Sequence, residues 1–201
     1  MIEVSAATPK ESDTVESRIL DAALVQFEKV GLRKTTIEDI ARQAGVDRVT
    51  VYRRVGSRDD VVQAVVTREV AATLAEIEKL PELHDNIDDL VVDVFVTIIT
   101  KWRTHPLVQR MLLLEPDRIL SKLTNDGELT FTMSVAATIK ALTRAVEAGM
   151  LPDIPDLAVR AEIVCRIVHS MILAPYGTER DASELELAAF ARQYLVPIIS
   201  G

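Results

Sequence analysis

Cysteine is almost absent from this 201-residue chain. The single one, Cys165, excludes an intramolecular disulfide framework and suits a reducing compartment. Seven glycines and eight prolines are too few for a collagen-like, low-complexity or loop-dominated protein. Aromatic residues make up 4%, which disfavours recognition of single-stranded nucleic acid by base stacking. The longest apolar run, Leu187 to Ala191, is far short of the roughly 20 residues a membrane-spanning helix needs. The opening stretch, Met1 to Asp13, is polar and mildly acidic, without the basic start and apolar run of a signal peptide. A cytoplasmic protein with no membrane partner is expected. Positive charge is also in deficit: the net charge of −8 excludes a surface that binds nucleic acid all over. Gly-rich phosphate loops, Gly-x-Ser-x-Gly and His-Glu-x-x-His are missing, so no catalytic residue, cofactor or metal site is expected.

What is present is apolar and periodic. Hydrophobic residues are 48% of the chain, enough for a packed core. Their spacing is helical throughout, with no sustained alternation and no hairpin signal. The spacing predicts an all-α protein. Residues 1–13 read as a flexible tail. A first helix is predicted from Thr14 to Val30, with Ile19, Ala22, Ala23 and Phe27 on one face and Gly31 closing it. A short helix follows from about Thr35 or Thr36, where Thr35-x-x-Glu38 resembles a capping box. Another runs from Arg48 to about Val55 behind the cap Asp47, and a long one from Ser57 to about Leu80. Further helices are predicted at 87–104, 106–114, 116–123, 128–148, 155–174 and 183–198. Cys165 and His169 are four apart on one helix, but no third ligand accompanies them, so a buried thiol beside a histidine is the better reading. The pairs Asp59-Asp60 and Asp88-Asp89 fall at helix starts, where carboxylates complement the macrodipole.

The informative segment is Thr35 to Val61. Two short helices joined by Ala44-Gly45-Val46 form a helix-turn-helix pattern, with glycine where a tight turn favours positive φ. Ile40, Val46 and Val51 tie the two helices together. Between Arg48 and Arg58 lie four arginines and no acid, a local charge of +4 in an acidic protein. The second helix offers Arg48, Thr50, Tyr52, Arg53 and Arg54, side chains suited to guanine edges, thymine methyls and phosphates in a major groove.

The stretch Ile19 to Val66 resembles the DNA-binding domain of TetR-family transcriptional regulators. The matching residues are Ile19-Leu20-Asp21-Ala22-Ala23, Phe27, Gly31, Thr35-Thr36, Ile40-Ala41, Ala44-Gly45-Val46, Thr50-Val51-Tyr52 and Ser57-Arg58. Arg54-Val55 departs from the family's usual His-Phe and removes an aromatic packing residue. The resemblance implies a helix-turn-helix domain over 14–60, with Thr35, Thr36, Tyr52 and Arg58 at the DNA alongside the arginines. Residues 61–201 then form an effector-binding and dimerisation domain, known only by its general layout of helices. The implied partners are double-stranded operator DNA, a second copy of the chain and a small, largely hydrophobic effector that releases a repressor. Apolar helices at the end of the chain place Val164, Val168, Met171, Ile172, Leu185, Ala188, Ala189, Arg192 and Leu195 at the dimer interface. Trp102, Met111, Phe131, Val135, Cys165 and His169 are candidate pocket residues. A helix-turn-helix protein without an effector, and an all-helical enzyme or interaction module, remain the alternatives.

Overall fold

The computed structural model describes residues 9–114, 128–173 and 182–201. Every regular element among the described residues is helical. Helix α1 spans Pro9–Val30, α2 Ile37–Ala44, α3 Arg48–Arg54 and α4 Arg58–Ile77. A 3-10 turn at Leu80–Leu83 leads to α5, Ile87–Thr104, and α6, Pro106–Leu114. Then come α7, Glu128–Glu147; α8, Leu157–Leu173; α9, Glu184–Phe190; and α10, Val196–Ser200. The predicted piece 116–123 lies outside the described residues.

Three differences from the sequence reading have physical causes. Helix α1 starts at Pro9, inside the stretch read as a tail; a first helical residue has no intrahelical N–H bond to lose, so proline fits there. The capping box is one residue later than expected. Thr36, not Thr35, is the N-cap: the Asp39 N–H donates to its hydroxyl at 3.2 Å, and the Thr36 N–H donates to the Asp39 carboxylate at 3.1 Å. The last helix is not continuous, because a π turn at Ala191–Leu195 separates α9 from α10. Pro197 has no N–H for the carbonyl of Gln193, and a wider turn accommodates that missing bond.

The helix-turn-helix is built on Gly45, whose φ of 67° is left-handed. Its N–H and that of Val46 cap the end of α2, the latter on the Ala41 carbonyl at 3.0 Å. A guanidinium from α1 holds the same turn: Arg18 donates to the Ala44 carbonyl at 2.7 Å.

Two hydrophobic cores form. The first gathers Ile19, Phe27, Ile40 and Val51 from α1–α3 with Val61, Val62 and Val65 from the start of α4. Burying Phe27 alone contributes about 1.5–3 kcal/mol. Leu107 and Met111 of α6 belong to this core too. Arg110 of α6 donates to the Lys29 carbonyl at the end of α1, at 2.7 Å. The second core joins α5 and α7–α10, around Phe95, Ile99, Ala145, Leu187 and Leu195. A division at residue 60 therefore cuts through the first core. Nothing in composition marks where a core ends; contacts decide it, and α4 and α6 serve both halves.

Candidate nucleic-acid interface and internal cavity

Helix α3 carries only one fully buried side chain, Val51, and that residue docks it on the first core. Asp47 caps it, accepting from the Thr50 N–H at 2.6 Å. That backbone bond, helped by Thr50's side chain, holds the Asp47 carboxyl below its ordinary value. With Val51 inward, Arg48, Tyr52, Arg53 and Arg54 are exposed, and Thr50 is half-buried. Arg48 lies 3.8 Å from Glu38 of α2, both at the surface. Thr36 is exposed at the mouth of α2. The sequence reading passed over Val49, which is 70% exposed on the same face and offers an apolar contact of the kind a thymine methyl takes. Its position one residue after Arg48, away from Val51, was the available signal.

Two expected DNA contacts are placed elsewhere. Thr35 is 1% exposed, and its hydroxyl donates to the Gly31 carbonyl at 2.8 Å. It closes the end of α1 and does not reach the surface. Arg58 is folded back as well: its Nε donates to the Thr35 carbonyl at 2.9 Å and its Nη2 to the Leu32 carbonyl. Its side chain is 25% exposed and leans 3.5 Å from Asp59. A guanidinium so engaged braces the turn between α1 and α2. Residue order alone could not show this, since both carbonyls are more than 20 residues away in sequence.

Behind the interface lies a cavity of about 220 Å³, walled by α4–α8 and the end of the chain. Of the expected pocket residues, Trp102, Met111, Cys165 and His169 line it; Phe131 and Val135 do not. On α7 the lining residues Thr130, Ser134, Ala137, Thr138 and Ala141 follow a helical stripe, and Phe131 and Val135 sit one residue further round. Phe131 instead meets the His169 ring edge-on at 5.2 Å and carries the Arg166 guanidinium over its face at 5.0 Å. The sequence reading missed the polar members Gln63, Glu69, Thr73, Thr130, Ser134 and Thr138. The hydroxyls at 130, 134 and 138 repeat every fourth residue, a legible stripe within an apolar helix.

Burial raises the Cys165 thiol above its ordinary value and lowers the His169 imidazole below its own. Among the described residues no three His, Cys, Asp or Glu side chains are grouped to hold a metal ion. None of the described helices is long and apolar enough to cross a membrane.

Residues 19–65 match the family model described as bacterial regulatory proteins, tetR family. The chain is 21% identical to the HTH-type transcriptional regulator YfiR of Bacillus subtilis over 96% of its own length and 95% of that protein's. Among solved structures, the TetR-family repressor AlkX of Dietzia sp., implicated in n-alkane biodegradation, superposes with a TM-score of 0.67 at 20% identity, covering 92% of this chain and 96% of AlkX. The regulator FadR of Bacillus subtilis, solved in complex with stearoyl-CoA, gives a TM-score of 0.62 at 16% identity, covering 92% and 98%.

Residues 19–65 thus carry a tetR-family DNA-binding domain, and the fold of the chain is the one TetR-family regulators share.

Its relatives are regulators, not enzymes, and regulators of the TetR family bind operator DNA and act as dimers. A dimer face on this TetR-family fold must be apolar and outward. Of the interface residues expected from sequence, Leu185 is 83% exposed, and Ala189 and Arg192 are also outward, though Arg192 is paired with Asp89 of its own chain at 2.6 Å. Leu195 and Val168 are buried within the subunit, and together with Val164 and Ile172 they line the cavity. Met171 and Ala188 are half-buried against the second core. Helix α8 is apolar on two faces, and its spacing did not say which one α5 and α7 cover. The face left open carries Val159 and Ile163, with Leu185 and Tyr194 exposed on the segment that follows.

Proposed function

We propose that the chain is a dimeric TetR-family repressor whose grip on operator DNA is released by a small, largely apolar ligand held in the internal cavity. One observation carries the reading: only three residues separate α3 from α4, which then walls the cavity from Gln63 to Ile77. It is about 30 Å long at about 1.5 Å per residue. Its first turn is fixed by a capping box in which the Asp60 N–H donates to Ser57 Oγ at 3.3 Å and the Ser57 N–H donates to Asp60 at 2.7 Å. A change of tilt in its cavity half moves the recognition helix with it.

Helix α3 enters the major groove. Thr50, Val49 and Arg48 read base edges, while Thr36, Tyr52, Arg53 and Arg54 hold the backbone. A second copy joined through Val159, Ile163, Leu185 and Tyr194 brings a second α3 to the next half-site, about 34–36 Å away. A ligand that prefers one tilt of α4 shifts the equilibrium only by its differential affinity for the two tilts. The helical environment of the cavity and the absence of a convergent catalytic set among the described residues favour binding over turnover.

Selecting duplexes from a random pool, then titrating the selected operator against rising salt, tests the DNA half of the reading. A palindromic consensus with half-sites one helical turn apart, or a multiple of it, is expected. Ligand titrations with and without that operator test the coupling, because operator DNA must lower ligand affinity by the same factor by which ligand lowers operator affinity. Equal affinities in the two titrations would show that the cavity does not govern DNA binding.

A further inference from the structure

The α7–α8 part of the cavity wall has a hydrogen-bond polarity. Ser134 Oγ lies 2.9 Å from the Thr130 carbonyl, and Thr138 Oγ1 lies 2.9 Å from the Ser134 carbonyl. A carbonyl cannot donate, so each hydroxyl spends its one hydrogen on the backbone four residues earlier. Facing them from α8, Cys165 Sγ is 3.3 Å from Thr138 Oγ1, and His169 Nε2 is 3.4 Å from Ser134 Oγ. With the hydroxyl hydrogens already spent, the thiol must be the donor to Thr138 and Nε2–H the donor to Ser134. Burial keeps the thiol protonated and the imidazole neutral at neutral pH, which leaves Nδ1 as a bare acceptor. Thr73 of α4 repeats the pattern, donating to the Glu69 carbonyl at 3.0 Å.

Each hydrogen in this row is therefore committed inside the protein, and the row has lone pairs left to offer. Elsewhere the wall includes Trp102 and Glu69; the Glu69 carboxylate lies 3.4 Å from His105 Nε2. Glu69 is the only acidic or basic side chain, histidine aside, on the described lining, where there is no lysine or arginine.

We propose that the cavity selects an uncharged ligand presenting a hydrogen-bond donor, a hydroxyl or N–H on an apolar body, and rejects anions of the same size. The proposal rests on the reading of this cavity as the effector site. A donor satisfies the lone pairs of Ser134 and Thr138, each of which has one left after accepting from His169 or Cys165. A carboxylate brings only further lone pairs, loses its water and finds no cation on the described wall. The FadR solved with stearoyl-CoA, an anionic ligand, shares the fold; the described lining here offers such an anion no lysine or arginine.

Trp102 is the only tryptophan in the chain and lines the cavity, so its fluorescence reports occupancy. The probes are three molecules of one chain length: n-octanol, which donates; methyl hexyl ketone, which only accepts; and octanoate, which is ionised at neutral pH. Octanol is expected to bind about three- to tenfold more tightly than the ketone, the worth of one net hydrogen bond. Octanoate is expected to bind more weakly than either, by more than about tenfold relative to octanol. In the full-length S134A/T138V double variant the acceptor row is gone and the Cys165 S–H and His169 Nε2–H are left as donors, so octanol is expected to lose its advantage over the ketone. A ketone that matches octanol in the natural protein, a preference that survives in the double variant, or octanoate binding best would each overturn the donor proposal while leaving the cavity a ligand site. No fluorescence change with any of the three would overturn the ligand-site reading and the proposal with it.

Discussion

Replacing Arg58 by alanine separates a structural role from a DNA contact. In the structure its guanidinium bridges the carbonyls of Leu32 and Thr35, at the turn that sets α1 against α2. The alanine variant leaves two part-buried carbonyls without their charged donor. A lost partner of this kind costs about 1–3 kcal/mol. Because the side chain is 25% exposed, water recovers part of that, and about 2 kcal/mol for the pair is a reasonable magnitude. In a domain of this size that lowers the melting temperature by about 4–8 °C. Lysine keeps the charge but is a point donor and cannot bridge two carbonyls as the planar fork does, so R58K should recover less than half of the loss. Thermal unfolding followed by circular dichroism gives the stability. Operator affinity measured well below the transition, against salt, gives the second readout. A brace predicts an unchanged salt slope, whereas a lost phosphate contact reduces it by about one unit. A normal melting temperature combined with a reduced slope would refute the structural reading of Arg58 and return it to the DNA.

Three further outcomes are expected. Truncating Arg48 or Thr50 to alanine should cost about 1–3 kcal/mol on the selected operator and relax preference at one position per half-site, whereas truncating Arg53 should weaken all duplexes alike; competition against scrambled duplexes tells these apart. Changing Ile163 and Leu185 together to glutamate should give a folded monomer by light scattering at micromolar concentration, because Leu185 is 83% exposed and Ile163 43%, so little of the subunit's own core is lost; a dimer that persists would place the interface elsewhere. The Asp39 carboxyl is held below its ordinary value first by the Thr36 hydroxyl, and that of Asp47 by the Thr50 N–H. A lowered folded-state value means that the caps contribute fully above the ordinary carboxylate range and fail as pH falls through the lowered values. Melting temperature measured from neutral pH into acid should therefore fall less steeply below about pH 4 in D39N/D47N, since asparagine caps without titrating.

The sequence by itself determined the helices, the turn and the outward set of α3. Those are local matters: Gly45 supplies a left-handed residue, Asp47 and Ser57 cap, and the spacing of Ile40, Val46 and Val51 fixes one inward face, so the remaining side chains of α3 must point out. Trp102, Met111, Cys165 and His169 were also within reach, as large or polar groups on helices with apolar stripes. The tertiary structure decided what depends on neighbours distant in sequence. Only folding brings Arg58 to the carbonyls of Leu32 and Thr35, where it braces the turn. Only packing chooses between the two apolar faces of α8, sending Val164, Val168 and Ile172 inward to the cavity and leaving Val159 and Ile163 outside. The hydroxyls of Ser134 and Thr138 were visible as a stripe, but that stripe becomes an acceptor row only when α8 sets Cys165 and His169 against it. Helical periodicity specifies directions around one axis, and burial is a relation between axes.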